Sequence, residues 1–203
     1  MNKPKISELL LGYRKSDRHS LLRALAASAL LMALATICKA FLVVSVPMLG
    51  VEGQEINFGY TMIMFSGALF GPMWGGLVGL GADFLGFLLD NNGYAYSPGL
   101  AVTNIFIGCF SGIVSIAFKE KLKKLYLLIP FCFLALTLAS LNNSMWLTVI
   151  YGMVKKSFWA FALPRLGFTV LVNFPLNTLV FFILMTKVEP ILRRSGLLPK
   201  NLK

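Results

Sequence analysis

Four long stretches of the chain carry no charged side chain. They cover residues 56–82, 91–118, 125–154 and 166–186 and are 27, 28, 30 and 21 residues long. About 20 consecutive apolar residues cross the hydrocarbon core of a bilayer, so runs of this length require a chain that crosses a membrane several times. Composition agrees. Charged residues make up 13% of the 203, too few to cover a soluble fold, and mean hydropathy is +0.76. That length leaves no room for a large soluble domain, so residues 1–203 read as a single transmembrane domain. Basic tails at 1–20 and 187–203 flank it.

The net charge of +11 follows from membrane orientation without any need for nucleic acid, because Lys and Arg gather on the cytoplasmic side. Cys38, Cys109 and Cys132 all lie in apolar segments; an odd number inside spans argues against a disulfide framework or a zinc site. The single histidine, His19, sits in the basic N-terminal tail, so a metal enzyme or a Ser-His or Cys-His nucleophile is not expected. No phosphate-binding Gly-rich loop ending in Lys-Ser or Lys-Thr occurs. The first apolar run, from Leu21 to Val46, is longer than a signal-peptide core and reads as a retained helix.

The stretch 56–89 decides the number of spans. As one helix it would be roughly 50 Å long, against a core of about 30 Å. Gly71-Pro72-Met73-Trp74-Gly75-Gly76 lies in its middle, and proline with glycine breaks a helix there. Taken as one span, the region leaves cations almost evenly divided between the two sides, nine against ten. Taken as two, it places fifteen of the nineteen on one side. The positive-inside rule therefore predicts an all-α membrane protein of six transmembrane helices with both termini cytoplasmic. The expected helices are 21–46, 58–70, 73–89, 98–118, 125–151 and 164–186. Outer loops at 47–57, 90–97 and 152–163 would frame an outward-facing ligand pocket.

Several residues stand out within that frame. Lys155, Lys156 and Arg165 are cations on the side that avoids them. Arg165, after Pro164 at an expected helix start, would either grip a carboxylate through two parallel hydrogen bonds or snorkel to the headgroups. Asn142 and Asn143, with Trp146 nearby, share one helix, and Asn173 and Asn177 the next. Amides in a bilayer either join helices or line a wet cavity. Phe58, Trp74 and Tyr96 suit a stacking pocket or an interface belt. Asp83, an intramembrane carboxylate, would pair with Lys39 or Arg165 or bond to ligand. Ala29 and Ala33 form a small-xxx-small pair that admits close approach of another helix.

These residues carry a resemblance. The chain is similar to the substrate-binding S-components of energy-coupling factor (ECF) vitamin transporters, most of all the folate-specific ones. It rests on Ala29-x-x-x-Ala33, on Gly71-Pro72-Met73-Trp74-Gly75-Gly76-Leu77-Val78-Gly79 with Asp83 and Gly86, and on Pro98-Gly99. The folate reading rests on Asn143-Ser144-Met145-Trp146-Leu147, Tyr151-Gly152 and Leu163-Pro164-Arg165-Leu166. The resemblance implies an outer pocket lidded by the first loop, no catalytic residues and no cofactor beyond bound vitamin. It also implies docking on a transmembrane coupling subunit and two ATPase subunits in the bacterial cytoplasmic membrane, with Ala29 and Ala33 facing the coupling subunit. Toppling of the S-component would deliver the ligand inward. Ligand contacts are expected from Arg165, Asn143, Trp146, Asn177, Asn173, Trp74, Tyr96, Phe58 and Lys156. Pantothenate, thiamin or riboflavin on the same scaffold is the nearest alternative. A self-sufficient ion-coupled transporter using Asp83 is the alternative of a different class.

Overall fold

The computed structural model describes residues 18–42, 44–45, 55–89, 96–118, 124–151 and 158–195. Helix α1 spans Arg18–Phe41. A two-residue antiparallel ribbon follows, β1 (Val44–Ser45) with β2 (Glu55–Ile56), in the register Ser45↔Glu55. Helices α2 (Gly59–Phe70), α3 (Pro72–Leu89), α4 (Pro98–Phe118) and α5 (Leu125–Tyr151) come next. The last helix, α6, runs from Phe158 to Arg194. Five of these helices are long and apolar enough to cross a membrane, and α2, at 12 residues, is the shorter apolar one.

Helix α2 is about 18 Å long at 1.5 Å per residue, shorter than a bilayer core. All of its residues but Tyr60 are buried, so protein rather than lipid meets them and its length is free of the bilayer constraint. The α2–α3 turn depends on Gly71, whose φ of 98° few residues with a Cβ adopt. Glycines then let backbones touch. A Cβ on Gly67 or Gly75 would collide with the Gly108 carbonyl, and one on Gly79 with that of Asn104. Across this seam Ser111 Oγ donates to Met64 O at 2.5 Å and Ser115 Oγ to Ala68 O at 2.8 Å, tying α4 to α2.

Helix α6 carries two π-helical turns, Thr169–Asn173 and Leu184–Val188. Each ends two residues before a proline, Pro175 and Pro190. Proline cannot donate to the preceding turn, and a wider turn absorbs the missing bond.

The boundaries differ from expectation in three places. Helix α1 stops at Phe41, and residues 44–45 enter a ribbon that apolarity alone does not reveal. Helix α6 starts at Phe158, so Pro164 and Arg165 lie inside it rather than at its start. The apolar sequence Phe158-Trp159-Ala160-Phe161-Ala162 extends the helix backward past the proline. Residues 187–194 continue α6 instead of opening a tail, held by Glu189, which is buried and accepts from Arg193 Nη2 at 2.8 Å.

Candidate functional site

The ribbon, the C-terminal ends of α1, α3 and α5 and the N-terminal ends of α2, α4 and α6 gather at one end of the bundle. Cross-helix contacts fix this end. Lys39 Nζ donates to Asp83 Oδ1 at 2.9 Å, and Asn104 Nδ2 donates to the same oxygen at 2.7 Å. The three side chains lock α1, α3 and α4 together. A carboxylate already matched by an ammonium and an amide is not poised to take up a coupling ion, so the ion-driven alternative loses its candidate. Lys39 Nζ also lies 6.0 Å from the centre of the Tyr60 ring, a cation–π contact.

From Tyr60 the network continues to α5. Asn143 Nδ2 donates to the Tyr60 hydroxyl at 3.0 Å. The other end of that amide, Asn143 Oδ1, is buried and has no hydrogen-bond partner among the described residues; the same holds for Trp146 Nε1. Residues three apart on a helix share a face, so an unanswered acceptor and an unanswered donor lie one turn apart on α5. An unmade buried hydrogen bond costs about 1–3 kcal/mol, and such groups call for an explanation. The Trp146 indole packs on Gly99 at the head of α4, where a Cβ would overlap the ring.

Arg165 closes the cluster from α6. Its side chain is partly buried, its guanidinium carbon is 5.2 Å from the Phe161 ring centre, and it interacts electrostatically with Tyr60 and Glu55. Thr169 beneath it donates to the Arg165 carbonyl at 2.9 Å, and its Oγ1 lies within hydrogen-bond distance, 3.1 Å, of the Ser140 hydroxyl on α5.

The remaining expected residues divide. Asn173 clamps the ribbon: its Nδ2 donates to Glu55 O at 2.9 Å, and its Oδ1 accepts from Asn57 N at 3.3 Å. Asn177 is fully buried; its Oδ1 accepts from Thr61 Oγ1 at 2.5 Å and its Nδ2 donates to Asn173 O at 2.8 Å. Both of these amides join elements and lie beneath the cluster. Phe58 precedes α2 and packs on the core. Tyr96 sets its ring against Phe84 and Phe87 of α3, at 5.9 and 5.2 Å between centres. Trp74 is in the first turn of α3, beside the Gly71 turn and thus toward the far end of the bundle. Lys155 and Lys156 lie outside the described residues. Ala29 and Ala33 are exposed on α1. Tyr60, Lys39 and Glu55, which the sequence reading did not place in the site, belong to its frame. A shallow apolar groove of about 280 Å³, lined by Ile129 of α5 and by Phe174, Pro175, Thr178, Leu179 and Phe182 of α6, is separate from this cluster.

A curated relative, the folate transporter FolT of Clostridium novyi (strain NT), is 26% identical over 63% of this chain and 70% of its own length. A crystal structure of FolT bound with folic acid superposes with a TM-score of 0.63 at 26% identity, covering 80% of this chain and 92% of that one. The crystal structure of an S-component for biotin from an ECF-type ABC transporter shares the fold, with a TM-score of 0.68 at 14% identity, over 86% and 94% of the two chains. These are transport proteins and not enzymes. Residues 20–189 match the family described as ECF-type riboflavin transporter, S component, and the chain, a multi-pass membrane protein by its helices, belongs to that family.

Proposed function

We propose that the chain captures folate outside the bacterial cytoplasmic membrane as the S-component of an ECF-type importer. Six spans place both termini in the cytoplasm and the ribbon end outside. The vitamin passes inward when the chain docks, through the Ala29 and Ala33 face of α1, on a transmembrane coupling subunit served by two ATPases. The observation that carries the reading is the buried pair of unanswered groups, Asn143 Oδ1 and Trp146 Nε1, on the same end of the bundle as Arg165. A flat ring with donors and acceptors on its edge answers the first two. A carboxylate suits the forked guanidinium of Arg165, which sits at the same end of the bundle. Folate has both, and the two relatives named for it support the reading.

Riboflavin is the second reading, favoured by the description of the family. It offers a comparable ring edge but no carboxylate. Thermal-shift measurements on the purified protein with folate, riboflavin, pantothenate and thiamin separate the two. Stabilisation by folate that weakens in Arg165→Ala supports the first reading; stabilisation by riboflavin alone, indifferent to Arg165, replaces it with the second.

A further inference from the structure

We propose that Tyr60 determines which ring edge the pocket accepts, by holding the Asn143 amide so that its carbonyl, and not its NH₂, faces the ligand. The inference rests on the reading of this cluster as a vitamin pocket and adds the chemical edge the pocket selects. An asparagine amide changes little in shape when turned by 180°, yet the turn exchanges an acceptor for donors. A site that reads hydrogen bonds through an asparagine therefore needs something to hold it. Here the NH₂ group is committed to the Tyr60 hydroxyl at 3.0 Å, which leaves Oδ1 buried and open. The tyrosine is itself held. Lys39 lies against its ring, Asp83 holds Lys39 at 2.9 Å, and Asn104 holds Asp83 at 2.7 Å. Gly59, one residue earlier, sits so close to the Lys39 side chain that a Cβ would collide with Cγ. Four helices thus fix one amide.

With Asn143 Oδ1 as acceptor and Trp146 Nε1 as donor one turn away, the matching partner is a lactam edge, an N–H beside a C=O. Replacing the ring oxo group with an amino group inverts that edge. The ring nitrogen loses its hydrogen, and an NH₂ donor takes the place of the acceptor. Both protein groups would then face their own kind.

The test measures equilibrium binding of folate and of its 4-amino analogue to the purified full-length protein. The native chain is expected to prefer folate by about tenfold or more, since a mismatched buried hydrogen bond costs 1–3 kcal/mol. Tyr60→Phe removes one hydroxyl, frees the amide to turn, and is expected to narrow the preference severalfold while thermal stability without ligand changes little. In an Asn143→Asp background either carboxylate oxygen accepts, so adding Tyr60→Phe should leave the preference unchanged within about twofold. A preference that Tyr60→Phe leaves intact, or a native chain that favours the 4-amino compound, overturns the inference while leaving folate binding standing. Should the chain hold riboflavin and not folate, the folate reading fails separately, and the same variants are run with riboflavin and its N3-methyl derivative. Equal binding of those two overturns the edge assignment.

Discussion

Arg165 is partly buried beside Phe161 and Tyr60, and under the proposed folate reading that setting gives it its discrimination. An exposed guanidinium is worth little to a carboxylate, whereas a partly desolvated one forms a strong paired bond. Arg165→Ala is expected to weaken folate binding by about tenfold or more, with Arg165→Lys recovering part of the loss because charge survives without the fork; titration of purified protein checks both. Lys39 gives a second prediction. Removing it alone strands Asp83, at a cost of about 3–5 kcal/mol, while replacing the pair by Met and Leu should restore much of the thermal stability. A polar or charged side chain within an apolar segment is costly, so Asn143, Asn173, Asn177 and Asp83 stand out in the sequence. Polarity does not say whether an amide answers a ligand or another helix, so Asn143 and Asn177 looked alike. Tyr60 was hidden because a tyrosine near a span end suits an interface belt equally well. Composition does not tell which end of the bundle a ring occupies, so the place of Trp74 in the first turn of α3 was not legible.

Helices were legible where a chemical break marked them. Pro98 and the charges at 119–124 bounded α4, and Gly71-Pro72 separated α2 from α3. The start of α6 was not, because Pro164 reads as a first-turn residue while the aromatic run before it continues the helix. The glycine seam supplies a test at this scale. Gly75 and Gly108 each present backbone where a Cβ would stand, so Gly75→Val should push α3 from α4 and lower thermal stability strongly, by several kcal/mol in the manner of an overpacked core. Gly86→Ala, which meets only ordinary contact at Lys39 Cβ, should be nearly neutral in the same melt. The ribbon supplies another. Its return strand hangs on Asn173 by two bonds, and Asn173→Ala should speed amide exchange at residues 55–57 in hydrogen-exchange mass spectrometry while the α2–α4 seam stays protected.

The outer face of α1 links the fold to what the protein must meet. Ala24, Ser28, Leu31, Ala35 and Cys38 point inward, and Leu22, Leu25, Leu30, Leu34 and Ile37 point out with Ala29 and Ala33. Lipid alone could cover such a face, but two small residues four apart form a dent that fits a helix better than acyl chains. The cations set the orientation expected of the whole chain, since the division of spans at Gly71 is the one that segregates them. The proposed docking face stands out in the sequence as a pattern only, because small residues recur by chance in any membrane helix. Ala33→Trp fills the dent on the exposed face of α1, while the contact of α1 with the Tyr60–Asn143–Trp146 cluster is made by Lys39, six residues further along. The isolated variant should therefore bind folate with native affinity. In vesicles that also carry the coupling subunit and ATPases, its ATP-driven uptake should fall at least about tenfold, as expected when an interface anchor position is blocked. Uptake at the native rate would remove α1 as the docking face, and lost binding in the isolated chain would show that the helix serves the pocket instead.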